Sequence, residues 1–224
     1  MTLLSFFMDM FVQIPVGRPK DLEKRQNILN AAKAVFLKNG YHGSSMNHIA
    51  QEAGVTKLTV YNHFQDKQNL FICAIEATCE ESISAKPLTL SADSNFREVL
   101  HQTCGLALNV VNLPEAIKLE HLLLELAAEK NPLAVLFFNA SHQRMNMVWG
   151  NLFSQAASFG FIQSNEIDKQ ICLILSLLLG MRHHEVLLGI RNPPDAKEKE
   201  SIITECIDLF LLKYSIPPKY LNSK

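Results

Sequence analysis

Apolar residues along this chain recur at spacings of three and four, with no sustained two-residue alternation. That is the pattern of helices burying one face, not of strands, and the fold class it predicts is all-α. Ile28, Leu29, Ala32, Val35 and Phe36 form one stripe of a first helix from about Asp21 to Lys38, terminated by Gly40. Two short helices follow. Ser45 is a good N-cap for one, with Ile49, Ala50 and Ala53 as its apolar face, and Gly54 stops it, since glycine accepts the left-handed conformation that ends many helices. Thr56 caps the next, which carries Leu58 to Phe64. Asp66 caps a fourth, running through Leu70, Phe71 and Ile75 to about Ser84, and Lys86 to Asp93 reads as a loop, with Pro87 ending the helix. The pattern then predicts helices near Asn95–Val111, Glu115–Glu129, Pro132–Ser158, Glu166–Ile190 and Asp195–Tyr214. Pro114 and Pro132 stand at first turns, Gly160 ends the Pro132 helix, and Asn192-Pro193-Pro194 forces a break before Asp195, which forms a capping-box-like pair with Glu198. Ile171 to Met181 is almost continuously apolar but too short for a bilayer, so it reads as a helix buried on most sides.

Composition adds little to this until it is divided along the chain. With 224 residues, 48% hydrophobic and 19% charged, the sequence fits a soluble globular protein rather than a disordered one. The net charge of −1 conceals an asymmetry: Gly17 to Leu70 holds eight Lys or Arg against four Asp or Glu, while the remainder from Phe71 is acidic. A locally basic first domain suits a polyanion, because neutralised phosphates release counterions. Five cysteines (Cys73, Cys79, Cys104, Cys172, Cys206) are odd in number and lack metal-type spacing; in apolar helical contexts they read as buried reduced thiols, with a redox sensor as the sharper alternative.

The first sixteen residues are apolar yet too short for a membrane span, and they lack the basic start of a signal peptide. They read as a weakly ordered extension, either from an upstream start codon or as an arm that packs on the body. Gly17-Arg18-Pro19-Lys20 is a basic lead-in, from which Arg18 reaches either a minor groove or a phosphate.

Ala53-Gly54-Val55 between two short helices is the layout of a DNA-binding helix-turn-helix, whose second helix enters the major groove. Lys57, Leu58, Thr59, Tyr61, Asn62 and His63 then lie on or near its groove-facing side, while Val55, Val60 and Phe64 point into a small core. Lys57 can donate to guanine or to phosphate, and Thr59 offers a methyl and a hydroxyl to base edges. Ser45 and the N–H groups beside it make an anion site, and Lys67 with the start of the fourth helix makes a second.

The stretch IAQEAGVTKLTVYNHFQDKQNLF closely resembles the DNA-binding signature of the TetR family of bacterial transcriptional regulators, through Ile49-Ala50, Ala53-Gly54-Val55, Thr59, Tyr61, His63-Phe64, Lys67 and Leu70. Gly17-Arg18-Pro19, Ala31-Ala32, Phe36 and Gly40-Tyr41 extend the match upstream. The resemblance implies that Tyr61 and His63 grip phosphates and that Tyr41 packs beneath the motif. Leu58 departs from the Gly or Pro of many relatives, which shifts the expected contact there towards a thymine methyl. The order of the later helices, with Gly160-Phe161-Ile162 before the last pair, loosely resembles the AefR-type C-terminal domain.

The implied organisation is an N-terminal three-helix helix-turn-helix DNA-binding domain over residues 17–66 and a C-terminal helical effector-binding and dimerisation domain over 67–216, flanked by the extension 1–16 and a tail 217–224. It implies a cytoplasmic homodimer on a double-stranded operator, with a small-molecule effector, no cofactor, no membrane association and no catalytic role. Candidate pocket residues are Phe71, Phe137, Phe138, Met145, Trp149 and Phe153, with His101, His121 and Glu125 as polar members; their apolar bias points to a hydrophobic or amphipathic ligand. Candidate dimer-interface residues on the last two helices are Leu175, Leu178, Leu179, Val186, Ile203, Ile207 and Phe210. His183-His184-Glu185 is a poor metal set, because adjacent histidines on a helix point about 100° apart. No nucleophile triad, phosphate loop or paired catalytic carboxylate is recognisable. A redox- or metal-triggered regulator and a ligand-independent DNA-binding protein are the competing readings.

Overall fold

The structure, a computed structural model, describes residues 19–83, 90–163 and 166–216. The extension 1–16, Arg18, the first part of the expected Lys86–Asp93 loop and the tail lie outside the described residues. Nine helices are described: α1 Pro19–Asn39, α2 Met46–Glu52, α3 Lys57–Phe64, α4 Lys67–Ile83, α5 Phe96–Val111, α6 Pro114–Ala128, α7 Leu133–Ser158, α8 Ile167–Leu187 and α9 Ala196–Tyr214. The helix starts follow from their caps. Asn95 accepts from the Glu98 N–H, and Pro114 begins α6, where a missing N–H costs nothing.

Two compact units divide within α4, between Ala74 and Ile75. This is later than the expected boundary after residue 66. The reason is packing: Leu70, Phe71 and Ala74 are buried in the first unit, where Phe71 meets Phe36 and Tyr41 edge-on at 5.0 and 5.1 Å. Those rings, with Ile28, Val35, Ile49, Val60 and Phe64, form the core of the first unit.

The second unit closes around α5, α7, α8 and α9. Leu100, Cys104 and Leu108 of α5 join Ile203, Cys206, Ile207 and Phe210 of α9 in one cluster, into which α7 sends Trp149 and Phe153. Phe153 stacks on Phe210 at 5.0 Å, removing two large aromatic surfaces from water. The chain entering α8 is tied to the end of α9 by the Gln163 N–H donating to Tyr214 O at 3.0 Å.

Two local expectations need correcting. α8 is not a regular helix: Gly180 sits at φ 43°, ψ −153°, a kink in mid-element that only glycine adopts readily. The capping box at α9 is half made. Asp195 Oδ1 accepts from the Glu198 N–H at 2.8 Å, but the Glu198 carboxylate is taken by the side chains of Arg182 and Arg191 instead of returning to the cap. Cysteine burial is also uneven, since Cys104 and Cys206 are buried, Cys73 is half-buried, Cys172 is exposed, and the side chain of Cys79 is outside the described set.

Candidate nucleic-acid interface

The helix-turn-helix is built by caps on both sides of a tight turn. Ser45 accepts from the His48 N–H at 3.2 Å and starts α2. At its end the Gly54 N–H donates to Gln51 O and the Val55 N–H to Ala50 O, with Gly54 at φ 65°. This pair of reversed bonds satisfies carbonyls that the helix leaves open and needs a left-handed residue at Gly54. Thr56 then begins α3, accepting from the Thr59 N–H at 3.2 Å while its hydroxyl meets that of Thr59 at 2.8 Å. The Thr59 hydroxyl is therefore shared with the cap, leaving its methyl and the rest of its hydrogen-bonding capacity for a base edge.

α3 separates its faces cleanly. Val60 and Phe64 are buried, whereas Lys57, Leu58, Tyr61 and Asn62 are exposed, Leu58 by 69% and Tyr61 by 39%. Lys57 Nζ lies 5.6 Å from the Tyr61 ring centre, so the outward face presents a cation, a phenol and an apolar tip side by side.

His63 and Lys67, expected at phosphates, both have partners within their own unit. His63 is largely buried and its Nε2 faces Asp21 of α1 at 3.2 Å, which holds it against the body of the unit. Lys67 donates to Tyr41 O at 3.0 Å and Ser44 O at 3.1 Å, and its ammonium sits over the Tyr41 ring at 4.2 Å. Two of its three N–H donors pin the turn before α2, and burial lowers its pKa. Tyr41 serves as packing, stacked on Phe36; burial, with the Asp66 charge second, raises its phenol pKa.

Sequence reasoning missed three supports of this face. Arg25 lies 5.1 Å over the Phe64 ring, Asp21 meets His63, and buried Ser44 donates to Gly40 O at 2.6 Å. Asp21 and Arg25 are four apart on α1, which shows that they share a face but not which helix that face meets.

The expected effector residues are divided between the two units. Phe71 belongs to the core of the first unit, Trp149 and Phe153 fill the core of the second, and Phe137 is buried while the adjacent Phe138 is exposed. Met145 packs half-buried against the second core and Glu125 is exposed. His101 lies 2.9 Å from Glu200 at the surface, and His121 Nε2 donates to Leu187 O at 2.6 Å.

Of the expected dimer residues, Leu178, Val186, Ile203, Ile207 and Phe210 lie buried within the chain itself, at 5% exposure or less. They have no surface to offer a second copy; only Leu175 and Leu179 remain half-exposed. The apolar side chains that do face outward on this pair of helices are Met181, Leu209 and Leu212.

Residues 28–73 match the family described as bacterial regulatory proteins, tetR family, and residues 98–216 match that of the AefR-like transcriptional repressor, C-terminal domain. A TetR-family transcriptional regulator from Mesorhizobium loti superposes with a TM-score of 0.78 at 27% identity, covering 89% of this chain and 100% of that one. The transcriptional activator FasR of Mycolicibacterium smegmatis is 34% identical over 82 residues, 37% of each chain. The transcriptional repressor BepR of Brucella suis is 47% identical over 49 residues, 22% of this chain and 23% of its own. This chain thus spans about a third of FasR and about a quarter of BepR. The chain belongs to the TetR family of bacterial DNA-binding transcriptional regulators, with an AefR-like C-terminal domain.

Proposed function

We propose that the protein is a homodimeric repressor that holds a palindromic operator through α3 and lets go when the second unit binds a small apolar or amphipathic molecule. The observation that carries the DNA part is the two-sided character of α3, with Val60 and Phe64 locked inward and Lys57, Leu58 and Tyr61 outward. Lys57 and Tyr61 grip the duplex, and Leu58 and the Thr59 methyl read its edges. His63 and Lys67 act from behind, by fixing the pose of α3 and of the turn before α2.

A palindrome calls for a symmetric pair of readers about one helical turn apart. Met181, Leu209 and Leu212 are the apolar outward residues that suit the partner surface, Leu212 at 84% exposure being the most costly to leave in water. Cytoplasmic action follows from the target, and among the described residues no helix is long and apolar enough to cross a membrane. Repression is the favoured output, although FasR is named an activator and BepR a repressor.

The test begins with an operator selected from random duplex DNA by the purified protein. Lys57→Ala combined with Tyr61→Ala should abolish operator protection while light scattering still reports a dimer. Retained protection at physiological salt would remove α3 from the interface.

A further inference from the structure

α5 and α9 pack antiparallel, and three polar contacts along their edges fix the register. Arg97 Nη2 donates to Asp208 Oδ1 at 2.5 Å, His101 Nε2 meets Glu200 Oε1 at 2.9 Å, and Lys199 Nζ donates to Asn109 Oδ1 at 2.8 Å. In that register the inner faces bring two cysteines together: the Cys104 thiol hydrogen-bonds the Cys206 sulfur. Cys206 Sγ donates onward to Ile174 O of α8 at 3.5 Å, and both cysteines are at 2% exposure or less. At Gly105, the next residue of α5, a methyl group would already touch Ile203 Cδ1 of α9 at 3.8 Å, so the two helices stand close at this level.

A single thiol in an apolar core is a small, inert hydrophobe. Two thiols in contact on different helices form a dithiol, which has a chemistry of its own. The hydrogen bond makes the two unequal. Donation from Cys104 favours a thiolate on Cys206 and lowers its pKa against the effect of burial, while the same bond and burial raise that of Cys104. Cys206 is thus the sulfur that attacks first. Its surroundings, with Leu100, Leu108 and Phe210, are apolar, so an oxidant that reaches it is small and uncharged, as hydrogen peroxide is. The Cys206 sulfur attacks one peroxide oxygen, the O–O bond breaks, and the departing hydroxide takes the Cys206 proton to leave as water, giving a sulfenic acid. Cys104 then attacks that sulfur. The S–O bond breaks as the S–S bond forms, and the Cys104 proton leaves with the hydroxyl as a second water. Two thiols lose two electrons, and one peroxide is reduced to two waters.

We propose that Cys104 and Cys206 are a peroxide-oxidisable dithiol, whose disulfide ties α5 to α9 and displaces the outward face of α9. A disulfide holds its sulfurs at about 2.05 Å, well inside a thiol–thiol hydrogen bond, so the helices must shift to close it. α9 carries Leu209 and Leu212 outward, fewer than two turns beyond Cys206, so the shift reaches the face assigned to the second copy. Formation of the bond is independent of that assignment; its effect on operator binding rests on the proposed dimer.

The test uses full-length protein with Cys172→Ser, which removes an exposed thiol able to link two copies. The protein is treated with hydrogen peroxide and unfolded in the presence of an alkylating agent, and its peptides are mapped by mass spectrometry. The Cys104 and Cys206 peptides should appear joined, two hydrogens lighter than their sum, and separate in dithiothreitol. Operator affinity should fall about tenfold on oxidation, within the range of coupling between distant sites, and recover on reduction, since a displaced face fits its mate less well. Cys104→Ala and Cys206→Ala should each bind operator normally and lose the response to peroxide. If either variant fails to fold, the joined peptide from the parent protein still decides. Cys104 and Cys206 recovered alkylated and separate, under peroxide that fully oxidises Cys172 in wild type, would overturn the proposal. A joined peptide with unchanged operator affinity would overturn the displacement of α9. Operator binding by the reduced protein is scored separately, so failure of the α3 assignment and failure of the dithiol give different results.

Discussion

At the residue scale, small polar side chains and a few charged groups do most of the positioning. Thr56 shows the cost of losing one: without its oxygen the Thr59 N–H at the start of α3 is open. Thr56→Ala should lower unfolding stability by about 1 kcal/mol in urea melts and weaken operator binding further than that loss accounts for, because α3 no longer starts in register. Such caps were legible, since Ser45, Thr56, Asp66 and Asp195 stand before apolar periodic runs. What was not legible is where long charged side chains end. Lys67 and His63 could be placed on their helices from spacing alone, but spacing carries no record of the carbonyls of Tyr41 and Ser44 or the carboxylate of Asp21 that occupy them. His183 allows a pH test. Its folded pKa lies below the ordinary imidazole value of about 6.5, so its contribution is present above that pH and is lost as pH falls through the folded value. His183→Leu should flatten the decline in thermal midpoint below neutral pH.

At the element scale, the helix inventory agrees closely with apolar periodicity, and the exception is α8. The almost continuously apolar stretch from Ile171 to Met181 has no period to betray a bend at Gly180, so it reads as a straight buried helix. The backbone at Gly180 says otherwise, and an L side chain there carries strain of about 1–3 kcal/mol. Gly180→Ala should therefore destabilise by that order in chemical denaturation, whereas in a regular helix the same change would stabilise. Five of the interface candidates on α8 and α9 are buried within their own chain for a related reason. A helix that packs on two sides shows one broad apolar stripe, and nothing in the stripe marks which part faces the protomer and which faces a partner. Leu178, Ile203, Ile207 and Phe210 were the most regular positions and went to the inner face.

At the scale of the whole molecule, fold class and family were readable because the DNA-binding unit must keep its caps, turn glycine and inward residues together in a short span. The second unit has no such compact signature, and its aromatic residues divided between core and surface in ways only packing decides. Leu212→Glu places a charge on the most exposed of the outward apolar residues, and should convert a dimer to a monomer in light scattering with loss of operator binding. In wild type, the logarithm of affinity should fall linearly with that of salt concentration, and Lys57→Met should lower the slope by about one if Lys57 meets a phosphate.

The division of the units inside α4 sets the smallest piece of this protein that can fold alone. Leu70, Phe71 and Ala74 complete the aromatic cluster of the first unit, and Lys67 to Ile83 contains neither glycine nor proline to interrupt the helix that carries them. A fragment cut after Asp66 discards part of its own interior and should stay unstructured by circular dichroism, while one cut after Ile83 should melt cooperatively.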